Sequence, residues 1–131
     1  MEIRVRFEVD DVELSALHAL AFGSGVQVQP WGARLERHAL TWIGAFSDDR
    51  LVGFVQVCWD GGAHAFVLDT AVHPDHGRQG IGVRLVRAAT DEARAAGCEW
   101  LHVDFEPHLA GFYLDACGFS PTDAGLLELR G

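Results

Sequence analysis

The sequence predicts a mixed α/β fold, with a largely antiparallel twisted sheet of about six to seven strands flanked by about four helices. Short apolar segments bounded by turn residues are typical of strands. Apolar residues also recur at helical spacing over residues 81–96, which predicts a long helix. One predicted strand precedes this helix and another follows it, and a crossover of this kind makes the two strands parallel neighbours.

The N-terminal part predicts one strand and two helices. Residues 3–9 alternate apolar and charged side chains, as a half-buried strand does. Asp10 and Glu13 then form a capping-box pattern ahead of an apolar series, which predicts that the first helix begins here. Pro30 suits the first turn of a second, shorter helix over residues 31–39.

The middle of the chain predicts three strands and the long helix. Residues 41–47 and 51–59 read as two strands joined by a turn at residues 48–50. Residues 66–72 are rich in β-branched and apolar side chains and predict a fourth strand. The long helix follows over residues 80–96.

The C-terminal part predicts a fifth strand at residues 99–105, a helix at residues 109–117 and a short hairpin at residues 119–130. No repeat, low-complexity tract or linker interrupts the chain. We therefore expect residues 1–131 to form one domain.

Composition narrows the classes of function. The net charge of -9 disfavours nucleic acid as a partner and would attract cations. No apolar run is long enough for a membrane span and no signal peptide is indicated, so we expect a cytoplasmic protein without a membrane partner. The cysteines are three in number and widely spaced, which predicts reduced thiols and no metal site.

The segment between the fourth strand and the long helix is the strongest functional signal. Gly80 and Gly82 lie where the helix begins, so unpaired N–H groups and the helix dipole favour an anion there. Pyrophosphate is the ligand that we expect. The segment lacks the Gly-Lys-Ser/Thr of a P-loop and the glycine pattern of a dinucleotide-binding turn.

Together with residues 111–119 (Gly-Phe-Tyr-Leu-Asp-Ala-Cys-Gly-Phe), this segment resembles the GNAT superfamily of acyl-CoA-dependent N-acyltransferases. The resemblance implies acetyl-CoA as cosubstrate, with its pyrophosphate on the loop and its carbonyl and pantetheine arm on the backbone of the fourth strand. The implied contacts are Ala71, Val72, Gly77, Arg78, Gln79, Gly80, Ile81, Gly82 and Val83.

The chain departs from the family pattern at two places. The family has Gln or Arg three residues before the first loop glycine, whereas this chain has Gly77 there and its basic residue one place later, at Arg78. An asparagine that often follows the fifth strand in the family is replaced here by residues 106–108, Glu-Pro-His. Backbone N–H groups make most of the phosphate contact, so we expect the loop to bind nevertheless.

The resemblance also implies catalytic residues. Tyr113 is the only tyrosine and stands where the family has its general acid, near the thioester sulfur. An acceptor amine is mostly protonated at neutral pH, so a base must take its proton. Asp69 and Glu106 are the residues that we select, while His64 and His108 remain alternatives, and each also has a purely structural interpretation.

These observations lead to one main hypothesis and two rivals. The main hypothesis is an N-acetyltransferase that moves the acetyl group of acetyl-CoA to a primary amine of a small molecule or protein, by direct attack in a ternary complex. The acidic chain favours a cationic amine, Trp31 could line its pocket, and a homodimer could complete the site. The rivals are a non-catalytic acyl-CoA-binding regulatory module and a structural domain that binds no CoA.

Overall fold

A five-stranded sheet forms the centre of the protein, which a computed structural model describes over residues 1–131. The strands are β1 (Glu2–Val5), β2 (Ala39–Ser47), β3 (Arg50–Trp59), β4 (His64–Val72) and β5 (Trp100–His102). The helices are α1 (Asp11–Phe22), α2 (Trp31–His38), α3 (Ile81–Ala95) and the π-helical α4 (Gly111–Ala116), with single 3₁₀ turns at Pro74–His76 and Pro107–Leu109.

The strands lie in the order β1-β2-β3-β4-β5. The first four are antiparallel neighbours, and β5 pairs parallel to β4 after the crossover through α3. The predicted mixed, largely antiparallel sheet is therefore confirmed, although it has five strands rather than six or seven.

The predicted C-terminal hairpin is wrong, because residues 117–131 form neither helix nor strand. Gly118 takes a left-handed φ of 83° and Pro121 lacks a backbone donor, so the chain leaves α4 without joining a ladder. The neighbouring strand β5 also offers only three paired residues. Three leucines of this segment, Leu126, Leu127 and Leu129, are 81–90% exposed.

Two other predicted strands are shorter than the pattern suggested. β1 stops at Val5 because Arg6 adopts a left-handed φ of 52°, which an extended strand does not accommodate. β5 ends at His102 rather than at residue 105, because its pairing with β4 ends there. The sheet is therefore open along part of the β4 edge.

The capping box predicted at α1 forms only in part. The Asp10 carboxylate accepts hydrogen bonds from the N–H groups of Val12 and Glu13, both at 3.0 Å, as an N-cap should. The Glu13 carboxylate instead accepts from the N–H of Leu51 at 3.0 Å. Because α1 packs across the sheet, this side chain joins the helix to the start of β3 rather than closing the box.

Two apolar cores cover the two faces of the sheet. One lies under α3 and joins its buried side chains, such as Leu85, to Val55 and Val67. The other lies under α1 and α2 and includes Leu14 and Ala71. None of the helices has the length and apolarity needed to cross a membrane.

A β-bulge in β4 positions the candidate site. Asp69 and Thr70 together oppose the single residue Val55 of β3, and Asp69 has a left-handed φ of 58°. The extra residue reverses the alternation of β4, so side chains after the bulge point to the opposite face of the sheet from the one that the alternation before it predicts. Before the bulge Val67 packs under α3, and after it Ala71 packs under α1 and α2.

Candidate functional site

A wedge opens between β4 and β5 beside the bulge. The two strands pair only from His64 to Phe66 on β4, and β4 then continues to Val72 without a partner on that side. The wedge holds a groove of about 830 Å³, with Leu68 on one wall and Phe105 on the other. Its depth and apolar lining suit a long, thin ligand arm.

Backbone geometry decides which of the two predicted carbonyl-binding residues faces the wedge. The His73 N–H donates to the Val52 carbonyl of β3 at 2.8 Å. Successive N–H groups of a strand point to opposite sides, so the Val72 N–H points towards the wedge and the Ala71 N–H towards β3. Ala71 instead contributes a side chain that is 2% exposed in the core.

The start of α3 presents free backbone donors. Gly80 is the N-cap, with a φ of 75° and no side-chain cap. The first helical bond runs from the Arg84 N–H to the Gly80 carbonyl at 3.2 Å. The N–H groups of Ile81, Gly82 and Val83 therefore have no acceptor within the helix. An anion could accept hydrogen bonds from all three and interact favourably with the helix dipole.

The rest of the loop is exposed and contributes mainly backbone. Gly77, Arg78 and Gln79 are all solvent-exposed, and no ion pair holds the Arg78 guanidinium. Arg78 also has a left-handed φ of 62°. The loop thus places a free cation near the helix start without fixing where it points.

Gly82 has a packing role that the sequence did not reveal. A Cβ at this position would lie 3.0 Å from two ring atoms of Phe112 in α4. The small residue therefore lets α4 approach α3 closely. Phe112 in turn packs edge-on against Tyr113, with ring centroids 4.7 Å apart. The loop and the predicted general acid are thus coupled through one aromatic ring.

Tyr113 is buried in an aromatic cluster beside the bulge. It is 6% exposed, stacks on Phe105 with ring centroids 5.0 Å apart and meets Phe119 edge-on. Burial raises the pKa of the Tyr113 phenol, and the neighbouring Thr70 hydroxyl partly opposes that rise. Thr70 Oγ1 is itself buried and lacks a hydrogen-bond partner of good geometry. Tyr113 is therefore a neutral proton donor at physiological pH.

A second cluster surrounds Asp69 and includes residues that sequence reasoning missed. His18 Nε2 of α1 lies 2.9 Å from Asp69 Oδ1, and Gln56 Nε2 of β3 donates to Asp69 Oδ2 at 2.6 Å. The His18 ring lies between Phe22 and Trp31, with ring centroids 4.5 Å and 5.1 Å away. No local motif marks His18 or Gln56, since only the fold brings them to Asp69.

The imidazole of His18 also lines a cavity of about 210 Å³ between α1 and α2. Trp31, Ser15, Gln27 and Gln29 share its wall. Trp31 is 3% exposed, so it contributes both to the core and to this cavity. The cavity is polar and small, which suits part of a small acceptor.

The other predicted bases have different hydrogen-bond and ion-pair partners. Glu106 is 80% exposed at its side chain, and its carboxylate lies 3.5 Å from His108 Nδ1. His64 Nδ1 lies 2.7 Å from His102 Nε2 at the paired end of β4 and β5. No hydrogen bond or ion pair joins Glu106, His108 or His64 to Asp69 or Tyr113. The structure thus joins Asp69 to His18 and Gln56 and places Thr70 beside Tyr113, whereas the Glu106 carboxylate meets His108.

Comparisons with known proteins identify the family and the fold. The family model described as acetyltransferase (GNAT) family matches residues 11–119. No curated protein sequence matches the chain.

Among solved structures, glucosamine-6-phosphate N-acetyltransferase from Arabidopsis thaliana has a TM-score of 0.78 and 13% identity, with 100% of each chain covered. The aminoglycoside N-acetyltransferase AAC(6')-Iy, in complex with CoA, has a TM-score of 0.76 and 18% identity, covering 98% of this chain and 93% of its own. An aminoglycoside acetyltransferase from an uncultured soil metagenomic sample, in complex with sisomicin, has a TM-score of 0.78 and 16% identity, covering 99% and 95%. At these identities the likeness establishes the fold.

Proposed function

Because this chain belongs to the GNAT acetyltransferase family, we propose that it transfers the acetyl group of acetyl-CoA to a primary amine. One observation carries the proposal. A buried, neutral Tyr113 lies beside the β4 bulge, at the point where β4 and β5 separate. A proton donor at an open strand edge suits a reaction in which a thiolate must leave.

The donor would bind mainly through backbone groups. The pyrophosphate of acetyl-CoA would accept from the free N–H groups at the start of α3 and from the loop over residues 77–83. The pantetheine arm would lie in the wedge and pair with the open edge of β4 at Val72, like an added strand, whereas the backbone of the other predicted contact, Ala71, faces β3. The CoA complex of AAC(6')-Iy, which shares the fold, supports this choice of cosubstrate.

The chemistry follows from the two sides of the bulge. The Val72 N–H would polarise the thioester carbonyl, since it points into the wedge. The amine attacks the carbonyl carbon, the C–S bond breaks, and Tyr113 gives its proton to the departing sulfur. The proton that the amine must lose leaves towards the cluster around Asp69, with Glu106 as the alternative acceptor from the loop after β5.

We propose a cationic amine as acceptor. The net charge of -9 attracts cations, and the cavity beside His18 is lined by Trp31 and several neutral polar groups. The similar structure from a soil metagenome is a complex with sisomicin, which supports a small-molecule amine as the acceptor. A homodimer and a cytoplasmic location stay predictions.

The test is an acetyl-transfer assay with radiolabelled acetyl-CoA and a panel of amines: sisomicin, glucosamine 6-phosphate, spermidine and a lysine-containing peptide. We expect at least one acetylated amine, identified by product mass, together with release of CoA. The rival regulatory module predicts that acetyl-CoA binds but that no amine is acetylated. The rival structural domain predicts no binding of acetyl-CoA.

A further inference from the structure

Asp69 has little freedom to act as a base. Both carboxylate oxygens are engaged, one by His18 Nε2 at 2.9 Å and the other by Gln56 Nε2 at 2.6 Å. Its backbone is fixed by the bulge, where it adopts a φ of 58°. Each oxygen already has one hydrogen-bond partner, so an incoming amine would compete with His18 and Gln56 for the carboxylate. This geometry suits a carboxylate that positions His18 and Gln56.

The hydrogen bonds also determine the tautomer of His18. The Gln56 amide nitrogen only donates, so the oxygen it meets is an acceptor. An ionised carboxylate accepts at its other oxygen too, so His18 Nε2 carries the hydrogen that faces Asp69. Nδ1 of His18 is then left with a free lone pair. This nitrogen can accept a proton while Asp69 keeps both of its contacts.

We propose that His18 is the base that takes the proton of the acceptor amine and that Asp69 is a positioning residue, which holds the ring through its contact with Nε2. The inference rests on the proposed acetyl transfer. His18 lines the cavity between α1 and α2 together with Trp31, whereas Asp69 does not line it. The His18 side chain is 25% exposed, so water can carry its proton away after each cycle.

The proton balance is complete with these groups. An ammonium group loses one proton to His18 Nδ1, and the imidazolium returns it to water. The resulting amine forms the C–N bond, the C–S bond breaks, and the Tyr113 hydroxyl supplies the proton that the thiolate takes. The tyrosinate then takes the second nitrogen proton. Overall, an ammonium ion and acetyl-CoA give an amide, CoA thiol and one proton.

A single substitution separates the two roles. In His18→Gln, the glutamine amide nitrogen can still donate to Asp69, so the local hydrogen bond is kept while the proton acceptor is lost. We expect kcat with the best amine of the panel to fall by about 10²–10⁴-fold, while the Kd for acetyl-CoA stays within about twofold. His38→Gln, at the exposed end of α2, is the matched control and should keep wild-type kcat.

A second readout does not need an acceptor. Long-range ¹H–¹⁵N NMR of the wild-type protein should show His18 with hydrogen on Nε2 and none on Nδ1, and Asp69→Asn should weaken that preference. Unchanged kcat in His18→Gln, or hydrogen on Nδ1, would overturn the assignment of His18 alone. Absence of any acetyl transfer by the wild-type protein would overturn the proposed function and this inference with it.

Discussion

The half of the candidate site that would bind acetyl-CoA (the donor half) and the half that would bind the amine (the acceptor half) differ in the groups they present. The donor half consists largely of backbone: the free N–H groups at the start of α3 and the open edge of β4. The acceptor half consists of side chains, with His18, Gln56 and Asp69 joined by short hydrogen bonds. Tyr113 lies between the halves, next to the bulge that supplies Asp69 and Thr70.

This difference has a consequence for mutation and for specificity. A backbone site keeps its donors when side chains change, provided that the loop keeps its shape. A side-chain site loses a partner with each substitution, and the remaining buried polar group is costly. We therefore expect the donor half to tolerate substitution and the acceptor half to set the choice of amine.

The largest effect should come from Tyr113, where the halves meet. Tyr113→Phe keeps the ring packing on Phe105 but removes the proton donor. We expect kcat to fall by about 10²–10⁴-fold with little change in the Kd for acetyl-CoA, because the hydroxyl acts as the thiolate leaves. Steady-state kinetics and calorimetry measure the two quantities. Wild-type kcat would remove Tyr113 from the mechanism.

The next effect should come from the packing of Gly82 on Phe112. In Gly82→Val, side-chain atoms would overlap the Phe112 ring, which a Cβ alone already meets at 3.0 Å. We expect the free energy of unfolding to fall by about 1–3 kcal/mol, with a further loss of kcat because Tyr113 packs on Phe112. Chemical denaturation measures the first change.

Gly80→Ala is the matched comparison for Gly82→Val. No atom lies within 4 Å of a Cβ at this position, so only the left-handed φ of 75° is strained. That strain costs about 1–2 kcal/mol. We expect Gly80→Ala to weaken acetyl-CoA binding more than it changes kcat. Equal loss of kcat in both variants would contradict the coupling through Phe112.

A third prediction concerns alkaline pH. Burial raises the pKa of Tyr113 above its ordinary value of 10.0, so the unfolded state loses the proton first as the pH rises. The stability contributed by the neutral phenol is complete below about pH 10 and decreases above it. Tyr113→Phe should therefore show a shallower fall in unfolding free energy above about pH 10, measured by urea denaturation. An equal slope in both proteins would contradict burial of the phenol.

Cys58 and Cys117 also contribute to the change in unfolding free energy at alkaline pH. Burial raises the pKa of both thiols above their ordinary value of 9.0, so they destabilise the folded state at high pH with the same sign. In Tyr113→Phe, the fall in unfolding free energy with rising pH should therefore be shallower than in the wild-type protein, but it should not disappear.

The smallest effect should come from Arg78. Its guanidinium is exposed and unpaired, while the loop contacts that we propose are backbone donors. We expect Arg78→Ala to weaken acetyl-CoA binding by less than about tenfold, and less still at high salt. Arg78→Gly removes the charge but relieves the left-handed φ of 62°, which separates charge from strain. A loss of more than about a hundredfold would mean that the donor half depends on a side chain.

The same difference between the halves explains what could be predicted from the sequence. The loop, α3 and the Tyr113 segment are each contiguous, so their residue types and spacing are visible in the chain. The contact between His18 and Asp69 spans 51 positions and depends on how α1 lies on the sheet. Sequence periodicity also does not locate the bulge, because a bulge interrupts the alternation that identifies strands.

Elements at the ends of the chain were the least predictable. The hairpin predicted at residues 119–130 does not form, and its leucines, Leu126, Leu127 and Leu129, remain exposed because no long strand edge pairs with this segment. Glu106 has the chemistry of a base, but its carboxylate is exposed and meets His108. The predicted hairpin therefore has no partner strand, while the role of Glu106 as a base stays a prediction.

The most direct test of the account is a calorimetric titration of the protein with acetyl-CoA, dephospho-CoA and free pantetheine. If backbone donors at the start of α3 hold the pyrophosphate, acetyl-CoA and dephospho-CoA should both bind, and pantetheine should bind at least about a hundredfold more weakly. Equal binding of all three ligands, or no binding of acetyl-CoA, would contradict a donor site built on this loop.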